Sequence, residues 1–117
     1  MANPNPIVPP TFTFTDIPKD REWSELRRGY FFAAALAHQS FPEVVMPPLD
    51  RIFCPENPVL HCHKDAFFSA KRKFSDKSEW YWRGYSAGAL IVYKKFLHCS
   101  AFRVRNVFVP ESLKETI

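Results

Sequence analysis

The sequence predicts a mainly α-helical fold with about three helices, and three observations support this class. Ten of the eleven prolines lie at or before Pro58, so residues 59–109 contain no proline and can form long regular helices. All three glycines fall inside the predicted helices rather than in turns. The aromatic share of 16%, with twelve phenylalanines, is typical of a folded chain with a core. The predicted helices cover residues 18–39, 64–74 and 77–98.

The chain is predicted to begin with an extended, proline-rich arm. In this arm, residues 11–15 alternate strictly between threonine and phenylalanine, which favours an extended segment with Phe12 and Phe14 on one side. We expect the arm to become ordered by lying along a surface of its own chain or of a partner. The predicted segments are, in chain order, the arm at 1–17, a single small helical domain at 18–109 and a tail at 110–117.

The first predicted helix begins near Pro18, because proline is favoured in the first turn of a helix, and Asp16 is a nearby cap. The helix ends before Pro42. A proline-spaced loop at residues 41–63 follows, and a loop of this length is uncommon inside a compact domain. Such a loop is more natural in a subunit that lies against neighbouring proteins.

The third predicted helix follows a break at Asp76, which resembles the start of a capping box because Glu79 comes three residues later. Beyond this helix, apolar and basic residues alternate between residues 101 and 109, which favours a short strand or an extended C-terminal arm. The alternative fold class is therefore a small α+β fold with strands near residues 11–15 and 101–109.

The glycines belong to two stripes of small residues spaced four apart, one in the first helix and one in the third. Small residues at this spacing lie on one side of a helix and let another backbone approach closely. Each glycine inside a helix costs about 1 kcal/mol relative to alanine, so a packing role is expected to offset that cost. We expect the two helices to pack through these stripes, within the chain or across a subunit boundary. The predicted packing residues are Gly29, Ala33, Ala37, Gly84, Gly88 and Val92.

The helices are too polar to predict a complete membrane span. The longest uncharged run of the third helix is residues 84–93 and that of the first is residues 29–42, both shorter than the roughly 20 apolar residues that a span needs. In the third helix, Glu79, Arg83 and Lys94 share one sector of the wheel, which indicates an amphipathic helix. A short tilted or half-buried membrane segment remains an alternative, since aromatic residues and lysines flank the uncharged run.

Cysteine and histidine cluster in one short stretch, but their spacing does not match a known zinc signature. Neither a metal nor a cofactor is predicted. No nucleophile with a base, no glycine-rich phosphate loop and no paired carboxylates are recognisable, so catalysis is not predicted either. An odd cysteine count favours a reducing, intracellular compartment, or one disulfide with a free thiol. The weak candidates for metal ligands are Cys54, His61, Cys62 and His63.

Residues 64–105 carry ten basic and three acidic side chains, and aromatic residues are interleaved with the cations. Such a segment can contact an acidic protein, an anionic lipid or RNA, since cations bind phosphates and aromatic rings stack on bases. The predicted contact surface consists of Lys71, Arg72, Lys73, Trp80, Trp82, Arg83, Arg103 and Arg105.

Together these features predict a non-catalytic interaction protein, a small accessory subunit that binds other protein subunits of a larger complex. Helices with small-residue stripes, aromatic and basic flanks and extended termini resemble the small supernumerary subunits of mitochondrial membrane complexes. The resemblance implies association with the mitochondrial inner membrane, and the alternative location is the cytoplasm. The alternative function is an RNA-binding module such as a ribonucleoprotein subunit.

Overall fold

The structure, a computed structural model, describes residues 10–95 and 105–109, and it is mainly helical with a small two-stranded antiparallel sheet. The elements are β1 (Thr11–Phe14), α1 (Asp20–Ser40), α2 (Leu49–Ile52), β2 (Leu60–His63), α3 (Lys64–Lys73) and α4 (Glu79–Lys95). Residues 105–108 add a short helical segment. The predicted mainly helical class is therefore confirmed.

Helix α4 is the centre of the fold. It contributes Tyr85, Val92 and Tyr93 to one cluster of buried apolar side chains, which also draws on α1, α3 and residues 108–109. It contributes Ala87 to a second cluster, which draws on α1, α2 and β2. Because α4 supplies both clusters, the other elements are arranged around it.

Glycine allows α1 and α4 to approach each other closely. A Cβ atom added at Gly29 would overlap the carbonyl oxygen of Tyr81, and one added at Gly84 would overlap the carbonyl oxygen of Leu26. A Cβ at Gly88 would lie 2.7 Å from the Cβ of Ala33, closer than carbon atoms pack. The absence of side chains at Gly84 and Gly88 leaves a notch in the surface of α4, and the backbone of α1 lies in this notch. The two stripes therefore pack against each other within one chain. The remaining stripe residues, Ala37 and Val92, lie in the first buried cluster.

Strand β1 pairs antiparallel with β2, with Phe12 opposite Cys62. Phe12 and Phe14 are half-buried, whereas Thr11 and Thr13 are exposed, as the strict alternation predicts. The described part of the arm lies along its own chain, where the amide of Lys64 also donates to the carbonyl of Pro10. Residues 1–9 of the predicted arm and all of the predicted tail, 110–117, lie outside the described residues.

The predicted loop at 41–63 is wrong in part, because it contains α2 and β2. The predicted strand at 101–109 is also wrong where it is described, since residues 105–108 are helical, while residues 101–104 lie outside the described part. In a strand, neighbouring side chains point to opposite faces. Phe108 and Val109 are instead both buried in the first cluster, and the hydroxyl of Tyr85 donates to the carbonyl of Phe108.

The predicted helix starts need correction. Helix α1 begins at Asp20, where the carboxylate of Glu22 accepts a hydrogen bond from the amide of Lys19. Asp16 does not cap this helix but lies 3.7 Å from Arg83. Helix α4 begins at Glu79, three residues after the predicted cap, and its first turn closes where the amides of Tyr81 and Trp82 donate to the carbonyl of Ser78. Residues 96–98 of the predicted third helix lie outside the described part.

Among residues 10–95 and 105–109, no helix combines the length and apolar character that crossing a membrane requires.

Candidate binding surfaces

The first candidate surface combines aromatic rings with cations on the outside of β1 and α3. We call it the β1–α3 face and define it by Phe12, Lys64, Phe68 and Lys71. The rings of Phe12 and Phe68 meet edge to face with centroids 5.4 Å apart, and the Nζ atom of Lys64 lies 5.5 Å from the Phe12 centroid. Phe68 is 39% exposed, so part of its ring is open to solvent.

Helical spacing explains why the β1–α3 face is exposed. Lys64, Phe68 and Lys71 follow each other at four and three residues, so they share one side of α3. Phe67 and Ala70 turn the other way and are buried. Phe67 then supports the exposed rings from below, because its centroid is 5.3 Å from Phe12 and 5.8 Å from Phe68.

The prediction that Arg83 belongs to an exposed contact surface is wrong, since the residue is only 7% exposed. Its guanidinium lies between the rings of Phe14 and Trp80, 4.0 Å and 4.3 Å from their centroids. The carboxylates of Glu79 and Asp16 pair with it from the solvent side. Cation–π contacts and charge pairing offset the cost of removing the charge from water. Arg83 therefore fastens β1 to α4.

The two tryptophans of the predicted surface are also used inside the chain. The indole Nε1 of Trp82 donates a 2.9 Å hydrogen bond to the carbonyl of Phe74, and its ring packs against Phe67. Trp80 is covered by Arg83. Neither ring is presented as a free platform on which a base could stack.

The basic residues of the predicted surface differ in their surroundings. Lys71, Arg72 and Lys73 are exposed at the end of α3. Arg105 forms a 2.9 Å ion pair with Asp65 and thereby ties the 105–108 segment to α3. Arg103 lies outside the described residues.

The candidate metal ligands do not converge. Within the described residues, no group of three or more histidine, cysteine, aspartate or glutamate side chains is placed to hold a metal ion. His61 is exposed and lies beside Thr13, whereas Cys62 points into the core, as alternation along β2 requires. Burial raises the pKa of the Cys62 thiol to about 12, so this thiol is not a ready nucleophile. Cys54 is half-buried in a bridge with Asn57.

His63 has a structural role as the N-cap of α3. Its Nδ1 accepts a 3.2 Å hydrogen bond from the amide of Ala66, which requires the neutral ring. Burial, the largest cause, lowers the pKa of His63 below its usual 6.5. Protonation therefore favours the unfolded state, in which the ring titrates at its ordinary pKa.

We expect the stability of the protein to fall as the pH is lowered through 6.5, because the unfolded chain then binds a proton that the folded chain rejects. The slope contributed by His63 is bounded at about 1.4 kcal/mol per pH unit. Urea unfolding between pH 7.5 and 5.5 measures it. His63→Asn retains an N-cap acceptor without titrating and should flatten the slope, whereas His61→Asn should leave it unchanged. An unchanged slope in His63→Asn would contradict the assignment.

The second candidate surface is a groove between α2 and α4, which we call the α2–α4 groove. It has two parts, whose linings share Ile91 and Lys94. One part has a volume of about 250 Å³ and is called the enclosed part because it is the more closed of the two, although it is still partly open to solvent. The other, the open part, has a volume of about 550 Å³. The enclosed part is lined by Ile52, Leu60, His61, Ala87, Leu90, Ile91 and Lys94. The open part is lined by Val45, Met46, Pro47, Pro48, Arg51, Ile91, Lys94 and Lys95.

Sequence reasoning did not predict either surface as a unit. The alternation that places Phe12 on one side of β1 was recognisable, but its pairing with Phe68 depends on a contact 56 positions away along the chain. The groove depends on α2, four residues inside the proline-spaced segment, for which no periodicity can be read.

Comparisons of the chain with known protein families, with curated proteins and with solved structures found no significant match. The fold and the two surfaces therefore define the chain only as a small, mainly helical domain with an aromatic–cationic face and an apolar groove.

Proposed function

We propose that the protein is a non-catalytic interaction protein, a small accessory subunit of a larger complex, and that it contacts an acidic segment of a partner subunit through the β1–α3 face. One observation carries this proposal. The half-buried ring of Phe12 and the exposed ring of Phe68 meet edge to face, with Lys64 and Lys71 next to them on the same surface. Aromatic residues, phenylalanine among them, are enriched at protein interfaces relative to the rest of the surface.

The internal use of the other candidate residues supports this choice. The glycine stripes are filled by α1 and α4 themselves, so they are not free to pack on another subunit. Arg83, Trp80 and Trp82 are engaged within the chain. Of the predicted contact surface, Lys71 lies on the β1–α3 face, and Arg72 and Lys73 are also exposed at the end of α3. The lysines of the β1–α3 face favour a partner that supplies carboxylates.

An RNA-binding module is the second candidate, and the exposed cations Lys71, Arg72 and Lys73 favour it. RNA affinity that falls steeply with salt would support it. The mitochondrial inner membrane, with cytoplasm as the alternative, stays a prediction for the location of the complex.

Native co-purification tests the proposal. We expect the double variant Phe68→Ala/Lys71→Glu to lose its partner, because the change removes the anchor and reverses a charge of the interface, with an affinity loss of about 2 kcal/mol or more. Circular dichroism and thermal unfolding should show that the variant remains folded.

The matched control is Phe31→Ala on α1, which removes a phenylalanine that is 59% exposed and lies outside the β1–α3 face. It should keep the partner. If both variants keep it, or if only Phe31→Ala loses it, the partner does not bind at the β1–α3 face.

A further inference from the structure

The α2–α4 groove combines mostly apolar walls with a few cations. The enclosed part is lined by five apolar residues, with His61 and Lys94 as its polar members. In the open part, which is also mostly apolar, Arg51 and Lys95 join Lys94. None of the residues that line either part is acidic. The three cations of the open part are therefore not opposed by a carboxylate of the lining.

The groove also leaves apolar surface uncovered at its mouth. Val45 is 74% exposed there, beside Met46 and the two prolines that precede α2. Together the two parts have the size of small-molecule sites, which typically measure about 300–1,000 Å³ and bury an apolar ligand around a few placed polar groups.

We propose that the α2–α4 groove binds a single-chain fatty acid, with the acyl chain in the enclosed part and the carboxylate at Arg51, Lys94 and Lys95. This is a ligand site on a different surface from the β1–α3 face, and it goes beyond the proposed subunit function. Burial of the chain supplies the driving force, and the cations select a negative head group.

The lining favours an acyl chain over a polypeptide. The enclosed part has a volume of about 250 Å³, and only His61 and Lys94 of its lining residues are polar, so it offers few partners to the polar groups of a polypeptide. A flexible hydrocarbon chain fits such a space without backbone polar groups that would need partners.

The experiment uses the full chain with dodecanoate as the probe. The chain has two methionines, Met1 and Met46, and Met46 lines the open part. With ¹³C-methyl-methionine labelling, NMR should show a saturable shift of the Met46 signal and none of the Met1 signal. Dodecyltrimethylammonium, with the same chain and the opposite charge, should leave Met46 unshifted under the same conditions.

The fold-safe variant is Arg51→Glu/Lys94→Glu, since both side chains are exposed. We expect it to weaken dodecanoate binding by about tenfold or more. Lys73→Glu on α3 is the matched control, because it reverses a charge outside the groove, and it should bind normally.

Equal binding of both amphiphiles, no saturable shift of Met46, or equal affinity of the wild-type and groove variants would overturn the proposal. The last experiment measures binding of the chain to vesicles of phosphatidylcholine with phosphatidylglycerol. If the chain binds these vesicles through Arg51 and Lys94 while dodecanoate leaves Met46 unchanged, the groove recognises a membrane surface and the fatty-acid proposal is wrong.

Discussion

Replacing Gly84 with leucine is expected to abolish the native packing of α1 on α4. A Cβ at this position would overlap the carbonyl oxygen of Leu26 and lie 2.8 Å from the backbone nitrogen of Tyr30. Both are backbone atoms of a helix, so relief requires the whole of α1 to move. We expect a loss of more than about 3 kcal/mol, the upper end of overpacking costs, in a domain whose total stability is about 5–15 kcal/mol.

For Gly84→Ala, the direction of the change in stability tests the close packing of α1 on α4. In an exposed helix the same change stabilises by about 1 kcal/mol, whereas here it should destabilise. Urea unfolding measures both variants. Ala35→Leu, at an exposed position of α1, is the control and should change stability by less than about 0.5 kcal/mol. Native-like stability of Gly84→Leu would show that α1 does not lie in the notch.

Replacing Tyr85 with alanine is the second change with a large expected effect. Its ring is fully buried and contacts Phe32 of α1, Phe74 after α3 and Phe108. Removing it leaves a cavity where four parts of the chain meet. Large-to-small changes of buried aromatic residues cost about 3–5 kcal/mol, and we expect a value in this range from denaturant unfolding.

Tyr85→Phe is the matched control, because it keeps the ring and removes only the hydroxyl that donates a 2.9 Å hydrogen bond to the carbonyl of Phe108. This leaves one buried acceptor without its donor and should cost about 1–3 kcal/mol. If Tyr85→Ala cost no more than Tyr85→Phe, the ring would not be the centre of the first buried cluster.

The helices could be predicted because long periodic patterns and proline placement act locally. The absence of proline from residues 59–109 indicated where α3 and α4 lie, and the glycine spacing predicted the close approach of α1 and α4. The strict alternation of Thr11–Phe14 located β1. These signals need only neighbouring residues, so one sequence is enough to interpret them.

The remaining elements depend on contacts that no local pattern carries. Strand β2 is four residues long and becomes a strand because β1 pairs with it. The 105–108 segment alternates in sequence, yet the Tyr85 hydroxyl and the first buried cluster favour a helical turn. Tertiary contacts of this kind override local propensity.

The sequence predicted which residue types would form a contact surface, but not which of these residues the fold leaves exposed. A helical wheel assigns Arg83 to the polar side of α4 because of its charge, but β1 crosses that side and covers the guanidinium with Phe14. An arginine can be buried in this way when carboxylates and aromatic rings surround its guanidinium. Arg83 is therefore not part of an exposed basic surface. The exposed cations of the predicted surface are Lys71, Arg72 and Lys73, at the end of α3.

Site-specific photo-crosslinking tests the proposed interaction most directly. A benzoylphenylalanine replaces Phe68 in one variant and Phe31 in the other, and both are irradiated in native extract. The proposed function predicts one discrete protein adduct from position 68, carrying an acidic crosslinked segment, and none from position 31. No adduct at position 68, or the same adduct from both positions, would contradict an interface at the β1–α3 face.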